Sequence, residues 1–197
     1  MRKNAFSEYM KTVFLTYFFI CISQLASAPG INFHLKALKL NAASDLIHLR
    51  YQEAEFTRFI NDLGRSESGN NWLSVNRIGC FGEFQFAEST VHFLGYKYIT
   101  LKRFKTDPGI FPRDMQRKVL ESLIKVNLNL LKDYEGYLGD TIRGVRITKA
   151  GMIAASHLGG AQSVRLFLAS HGRINKDDVF GTRISDYFQK FSYYDLD

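Results

Sequence analysis

The chain has almost none of the residues that cross-link a small protein. Its 197 residues hold two cysteines, Cys21 and Cys80, and Cys21 lies in an apolar N-terminal run. If that run is removed, one thiol remains and no internal disulfide can form, so stability has to come from packing. Histidines are scattered: His34, His48, His92, His157 and His171 show no i, i+4 pairing and no neighbouring Cys or acid pattern. Metal-ligand spacing is therefore missing, and no metal or other cofactor is expected. The formal charge of +7 comes without a dense Lys/Arg stripe, so nucleic acid is not an expected partner. The apolar run from Val13 to Ile22 is about half the ~20 residues that a spanning helix needs. There are no internal repeats and no low-complexity tracts.

What the N-terminus does have is order. Arg2, Lys3 and Lys11 precede the apolar run, which ends in Ser23-Gln24-Leu25. Ala26-Ser27-Ala28 follows, an A-x-A site before Pro29. This is the arrangement of a secretory signal peptide, with cleavage expected after Ala28. Phe18-Phe19-Ile20 before Cys21 lacks the small residues of a lipoprotein signal. The expectation is an exported protein, periplasmic or secreted, with no stable membrane insertion after signal cleavage. Losing Arg2, Lys3, Lys11 and Glu8 lowers the charge from +7 to +5. A basic exported protein is drawn to anionic polymers such as a cell wall. Nothing in the pattern specifies an oligomeric state.

Hydrophobic residues make up 46% and charged residues 23%, which is ordinary for a globular chain. Residues 29–44 read as a linker. Ser44 or Asp45 is placed to cap a helix running to about Leu63, with Leu46, Leu49, Phe56, Phe59, Ile60 and Leu63 on one face. Gly64 is expected to interrupt or end it, with Glu67 a turn beyond. Residues 69–82 carry Gly/Asn turn signals and no clean period, so they read as loop or very short strand. A helix is predicted over Phe84–Leu94, then irregular chain from Tyr96 to Pro112 with a turn at Asp107-Pro108-Gly109.

The longest periodic segment covers about residues 113–134. Met115, Val119, Leu123, Val126, Leu130 and Tyr134 form its stripe, widened by Leu120, Ile124, Leu128 and Leu131, which predicts the central helix of the core. Thr148 is a good N-cap for Lys149–Leu158. Gly159-Gly160 should break that helix, Ala161–Ser170 resume it and Gly172 end it. Thr182–Phe191 is a last short helix, with Ile184, Tyr187, Phe188 and Phe191 inward. The fold class is all-α, one domain over 45–192 with a tail at 193–197.

The stretch Glu67–Phe86, ESGNNWLSVNRIGCFGEFQF, carries the chemistry. A lone acid beside Ser, Gly, Asn and Trp suits a cleft that holds a sugar. Glycoside cleavage needs a general acid in a partly apolar site, and Trp72, Phe81, Phe84 and Phe86 are near Glu67 in sequence. Glu67-Ser68, Gly79, Gly82 and Gln85 resemble the lytic transglycosylase signature, an E-S pair followed by G-A-x-G-L-M-Q. Gln85 lies 18 residues after Glu67, the family's spacing. Exported and phage-type members are more similar still: E-S-G, G-x-x-G-x-x-Q-F, A-H-L-G-G, a late D-x-x-G-T and a terminal Y-x-x-x-F. Here those are Glu67-Ser68-Gly69, Gly79–Phe86, Ser156–Gly160, Asp178–Thr182 and Tyr187–Phe191. The likeness spans about residues 50–192. The chain departs from it at Cys80 (Ala in the signature), Glu83 (Leu), Phe84 (Met) and Ser156-His157, which replace the Tyr-Asn of an A-Y-N-A-G motif.

The resemblance implies a single lysozyme-like domain with an active-site cleft, acting on peptidoglycan without a cofactor. It implies that Glu67 protonates the oxygen between N-acetylmuramic acid and N-acetylglucosamine and then acts as base. The base takes either the muramyl 6-hydroxyl proton, leaving a 1,6-anhydro product, or a proton from water. The substrate's own acetamido group would carry positive charge, and no convincing second acid is visible; Glu83 and Glu88 are near only in sequence. Ser68, Gln85, and the backbone at Gly82–Phe84 would hold the sugar, with Trp72 stacking on it. The absent Tyr would have oriented sugar and acid, a role His157 would fill in part by hydrogen bonding. Two alternatives stay open: a Cys80/His157 peptidase acting on wall stem peptides, and a non-catalytic peptidoglycan-binding protein. Cys80 between glycine and phenylalanine lacks the electropositive setting of a thiolate.

Overall fold

A computed structural model describes residues 29–196, with side chains from residue 38 onward. The expected signal peptide lies outside the described residues. The chain divides into two compact units, Met1–Tyr51 and Gln52–Asp197. The described part of the first is helical: helix α1 runs Pro29–Ser68. Residues 29–44, read as a linker, are therefore helix, and α1 starts well before Ser44. Leu46 and Leu49, expected on the buried face, are 51% and 61% exposed.

In the second unit the helical pattern of α1 does close on a core. Phe59, Ile60 and Leu63 are buried at spacings of one, three and four. Arg58–Glu55 and Arg65–Asp62 pair one turn apart on the outer side. Gly64 does not stop the helix. A Cβ there would lie 2.7 Å from Asn70 Oδ1 and 3.0 Å from Glu83 Cγ, so glycine is needed for close approach. Termination comes at Gly69 and Asn70, both with positive φ, whose amides cap the carbonyls of Arg65 and Gly64. Glu67 thus sits inside the last turn of α1, where helical geometry fixes its direction.

After the loop come α2 (Glu88–Phe93) and α3 (Leu101–Thr106), a 3-10 turn at Pro108–Ile110, and α4 (Arg113–Leu131). A 3-10 segment at Lys132–Tyr137 leads to the antiparallel pair β1 (Thr141–Ile142) and β2 (Val145–Arg146), with Ile142 opposite Val145. Helices α5 (Lys149–Ala169) and α6 (Ile184–Phe191) complete the mainly α unit. The helix predicted from Phe84 begins only at Glu88, because Phe86 is already paired with Phe81. The segment Tyr96–Pro112, expected to be irregular, holds α3, whose N-cap Thr100 accepts from the Arg103 amide.

The predicted central helix is displaced. On α4 the buried residues are Gln116, Val119, Leu120, Ile124, Asn127 and Leu131, while Leu130 is 42% exposed. Two polar residues sit on the inward face because Gln116 has backbone groups to satisfy there. The helix surrounded by core is α5, buried continuously from Ala150 to Ser156; its small residues let α4 and α6 both pack against it. Thr148 caps it through Gly151 N at 3.1 Å, and Gly160 breaks it at φ 74°, ψ 160°. The inward face of α6 is the predicted one: Ile184, Tyr187, Phe188 and Phe191. The tail is not loose. Tyr194 is 3% exposed and meets Phe59 edge-on at 5.4 Å.

Phenylalanine dominates the core: Phe81, Phe84, Phe86, Phe104 and Phe111 under the loop, and Phe59, Phe167, Phe188 and Phe191 under α6, are fully buried. Each contributes about 1.5–3 kcal/mol of burial. The Gly160 backbone lies in a region closed to residues with a Cβ, so Gly160→Ala should destabilise by about 1–3 kcal/mol. Gly136→Ala, where a Cβ meets nothing within 4 Å, should leave the denaturant midpoint unchanged or slightly raised. Equal midpoint losses in the two variants would refute the assignment.

Candidate active site

The loop after α1 is two consecutive tight turns sharing one residue. Phe81 pairs antiparallel with both Val75 and Phe86, exchanging N–H···O bonds of 3.0 and 2.9 Å with Phe86. Its ring, packed 5.1 Å from Phe104 and 5.9 Å from Phe111, pins the pairing to the core. Gly79, Gly82 and Gln85 take positive φ. At Gly82 a Cβ would sit 2.5 Å from Gln116 Oε1, so side chain and backbone both demand glycine there. Gln85, forced into the left-handed region at φ 49°, donates from Nε2 to Gly82 O at 2.8 Å.

This loop forms one wall of a groove of about 650 Å³. Glu67, Asn76, Ile78, Cys80 and Gln85 line it on that side, facing His157, Leu158 and Gly159 of α5, the loop Lys176–Phe180, and Tyr187 of α6. The Glu67 side chain is 14% exposed. Tyr187 donates its hydroxyl to Glu67 Oε1 at 2.6 Å, and Oε2 has no hydrogen-bond partner among the described residues. Burial first, and then the Glu67 charge, push the Tyr187 phenol above its ordinary range, so it stays a donor at any working pH. His157 Nε2 is 4.0 Å from Glu67 Oε1, too far to bond. It donates instead to the Phe84 carbonyl at 2.8 Å, which fixes the Nε2–H tautomer, while Nδ1 is buried without a partner. The partner of Glu67 is Tyr187, not His157.

Behind the groove lies a buried carboxylate. Glu83 is 0% exposed and receives Arg113 through Nε at 2.9 Å and Nη2 at 3.0 Å, and Arg117 Nη2 at 2.8 Å. Burial alone would raise its pKa; the two guanidiniums outweigh that and hold it below the usual carboxylate range. Gln116 Oε1 accepts from the Glu83 amide at 2.6 Å, and its Nε2 donates to Trp72 O and Phe111 O. Ser68 Oγ donates to Glu83 O at 2.7 Å. The turn that carries Gln85 is thereby fastened to α4 and to the end of α1, one residue from Glu67.

Among the residues proposed from sequence, Glu67, Gln85 and His157 come together in the groove. Ser68, Trp72, Gly82 and Phe84 do not line it. Ser68, Gly82 and Phe84 build its support, Phe84 as a fully buried ring whose carbonyl is taken by His157. Trp72 is half-buried, and its carbonyl bonds Gln116. Glu83 and Glu88 are spoken for, the latter by the Leu101 amide at 2.7 Å. Cys80 does line the groove, but burial pushes its thiol up and neither His157 nitrogen bonds it. Lys176, Asp177 and Asp178 enter the groove unforeseen; Tyr187 was legible only as an inward-facing residue of a motif. Among the described residues no group of three or more His, Cys, Asp or Glu converges as metal ligands would.

Comparison with protein-family models, with curated proteins and with solved structures finds no match.

The folded pKa of Glu83 is lower than its unfolded one, so its contribution is complete above about pH 4–5 and fades as pH falls through the folded value. Glu83→Gln should lower stability by about 1–3 kcal/mol at neutral pH and flatten the acid limb of a midpoint-against-pH curve. A variant curve parallel to the wild type would show that Glu83 is not the titrating group.

Proposed function

We propose that this chain cleaves the glycan backbone of peptidoglycan between N-acetylmuramic acid and N-acetylglucosamine, as an exported lytic transglycosylase. The observation that carries this reading is the Glu67 carboxyl: nearly buried, held at Oε1 by Tyr187, free at Oε2, and lining a groove long enough for sugars. The ordered motifs from Glu67 to Phe191 and the signal-like N-terminus supply the substrate and the destination.

Protonated on Oε2, Glu67 gives its proton to the glycosidic oxygen as the C–O bond breaks. Ile78, Leu158, Val179, Phe180 and Ile184 provide the partly apolar lining in which a carboxyl can keep that proton. Positive charge at the anomeric carbon is met by the substrate's own acetamido oxygen. Glu67, now a carboxylate, removes the proton from the muramyl 6-hydroxyl, and that oxygen closes on the anomeric carbon to give the 1,6-anhydro sugar. Tyr187 fixes the carboxyl rotation through both steps. Asp178 is not a second acid in this scheme, since its Oδ1 accepts from the Phe180 and Thr182 amides. Gln85 offers its amide to an N-acetyl group.

Purified protein should release anhydro-muropeptides from cell-wall sacculi. Glu67→Gln should cut the rate by about 10²–10⁴-fold. Tyr187→Phe, losing one hydrogen bond to a charged group, should cost about 10–100-fold with little change in sacculus binding. Release that survives Glu67→Gln would end the assignment. Pelleting with sacculi without any release would point to a wall-binding protein, and loss through Cys80→Ser alone to a peptidase.

A further inference from the structure

Two turns face each other over the groove, and each is braced from within. In the first, the Asn76 amide bonds Cys80 O at 2.9 Å, and Asn76 Oδ1 accepts from the amides of Ile78 and Cys80 at 3.1 and 2.9 Å. In the second, the Asp178 amide bonds Thr182 O at 2.9 Å, Asp177 bridges Arg183, and Asp178 Oδ1 accepts from Phe180 and Thr182 at 2.9 and 2.8 Å. An Asx side chain that satisfies the inner amides makes such a turn stiff. Both turns contribute groove lining: Asn76 and Ile78 from one, Val179 and Phe180 from the other.

One contact joins their tips. The Arg77 guanidinium lies 4.6 Å from the centre of the Phe180 ring, while Phe180 remains 48% exposed and Val179 64%. An aromatic ring held half in water at a turn tip has a use when a cation from the opposite wall covers its face. We infer that Arg77 and Phe180 form a side-chain roof across the groove, so that a glycan strand enters by its end and the protein attacks strand ends in preference to strand interiors. This rests on the glycan-cleaving reading above. A cation–π contact of this exposure favours the closed roof by about two- to fivefold, so interior cutting is reduced, not abolished. Because both turns are braced, opening is a matter of the two side chains.

The test places Arg77→Cys with Phe180→Cys in a Cys21→Ser, Cys80→Ser background and joins the pair with a short bis-methanethiosulfonate linker that reductant removes. The pair should link readily. The linked form should still cleave a soluble β-1,4 N-acetylglucosamine hexamer, and from sacculi it should release only small products of uniform size, with interior cuts returning on reduction. Separately, Phe180→Ala should raise the share of interior cuts about two- to fivefold. Failure to link, or interior cutting by the linked form equal to the reduced one, overturns the roof. If no form cleaves anything, the glycan-cleaving reading falls on its own. The roof is then judged by binding: linked protein should hold the hexamer yet no longer pellet with sacculi, and equal pelleting before and after reduction overturns it.

Discussion

A carboxylate with no exposure is expensive unless it is fully partnered, and in this protein the groove is built around one that is. Glu83 is clamped by Arg113 and Arg117, and its backbone is tied by Gln116 on one side and Ser68 on the other. Arg117 also reaches Asn61 at 2.8 Å, so α1 and α4 are joined through the same charge. Gly64 and Gly82 are glycines because the Glu83 side chain and Gln116 press against them. The position of Glu67, three residues beyond Gly64, and of Gln85, two beyond Glu83, follows from that packing.

On this support, a second interaction makes the site. Tyr187 reaches Glu67 from the opposite end of the sequence. α6 is held in place by Phe188 stacked on Phe167 at 5.4 Å and by Phe191 against Phe59. The hydrogen bond therefore reports correct docking of the last helix on the first. A tyrosine absent from the middle of the chain, where Ser156-His157 stand, is replaced by one near its end. His157 keeps a different task, orienting the Phe84 carbonyl behind Gln85.

How much of this could be read from the sequence depends on how local the cause was. The mainly α class, the Thr148 cap, the break at Gly160 and the inward face of α6 follow from neighbours within a few residues. So does Glu67 as the one acid without a structural partner of opposite charge in its turn. The stripe on α4 misled because leucine-rich periodicity says nothing about Gln116, whose burial is set by backbone groups of Trp72, Glu83 and Phe111. The helix expected at Phe84 lost to the Phe81–Phe86 pairing, a contact too short to show a period. Glu83 read as a departure from a motif; its two arginines lie about thirty residues on, on a face fixed only once α4 is rotated by Gln116. The Tyr187–Glu67 bond spans too much chain for any spacing rule, and the linker at 29–44 failed because helical propensity there needs no buried face.

The most direct measurement is the crystal structure of the Glu67→Gln protein with a bound N-acetylglucosamine oligomer. The account predicts a glycosidic oxygen within hydrogen-bonding distance of the residue-67 side chain, about 3 Å, with Tyr187 on its other face and Gln85 on a neighbouring acetamido group. An oligomer seated away from residue 67, or one whose only glycosidic oxygens in the groove face Cys80 or Asp177, would contradict it.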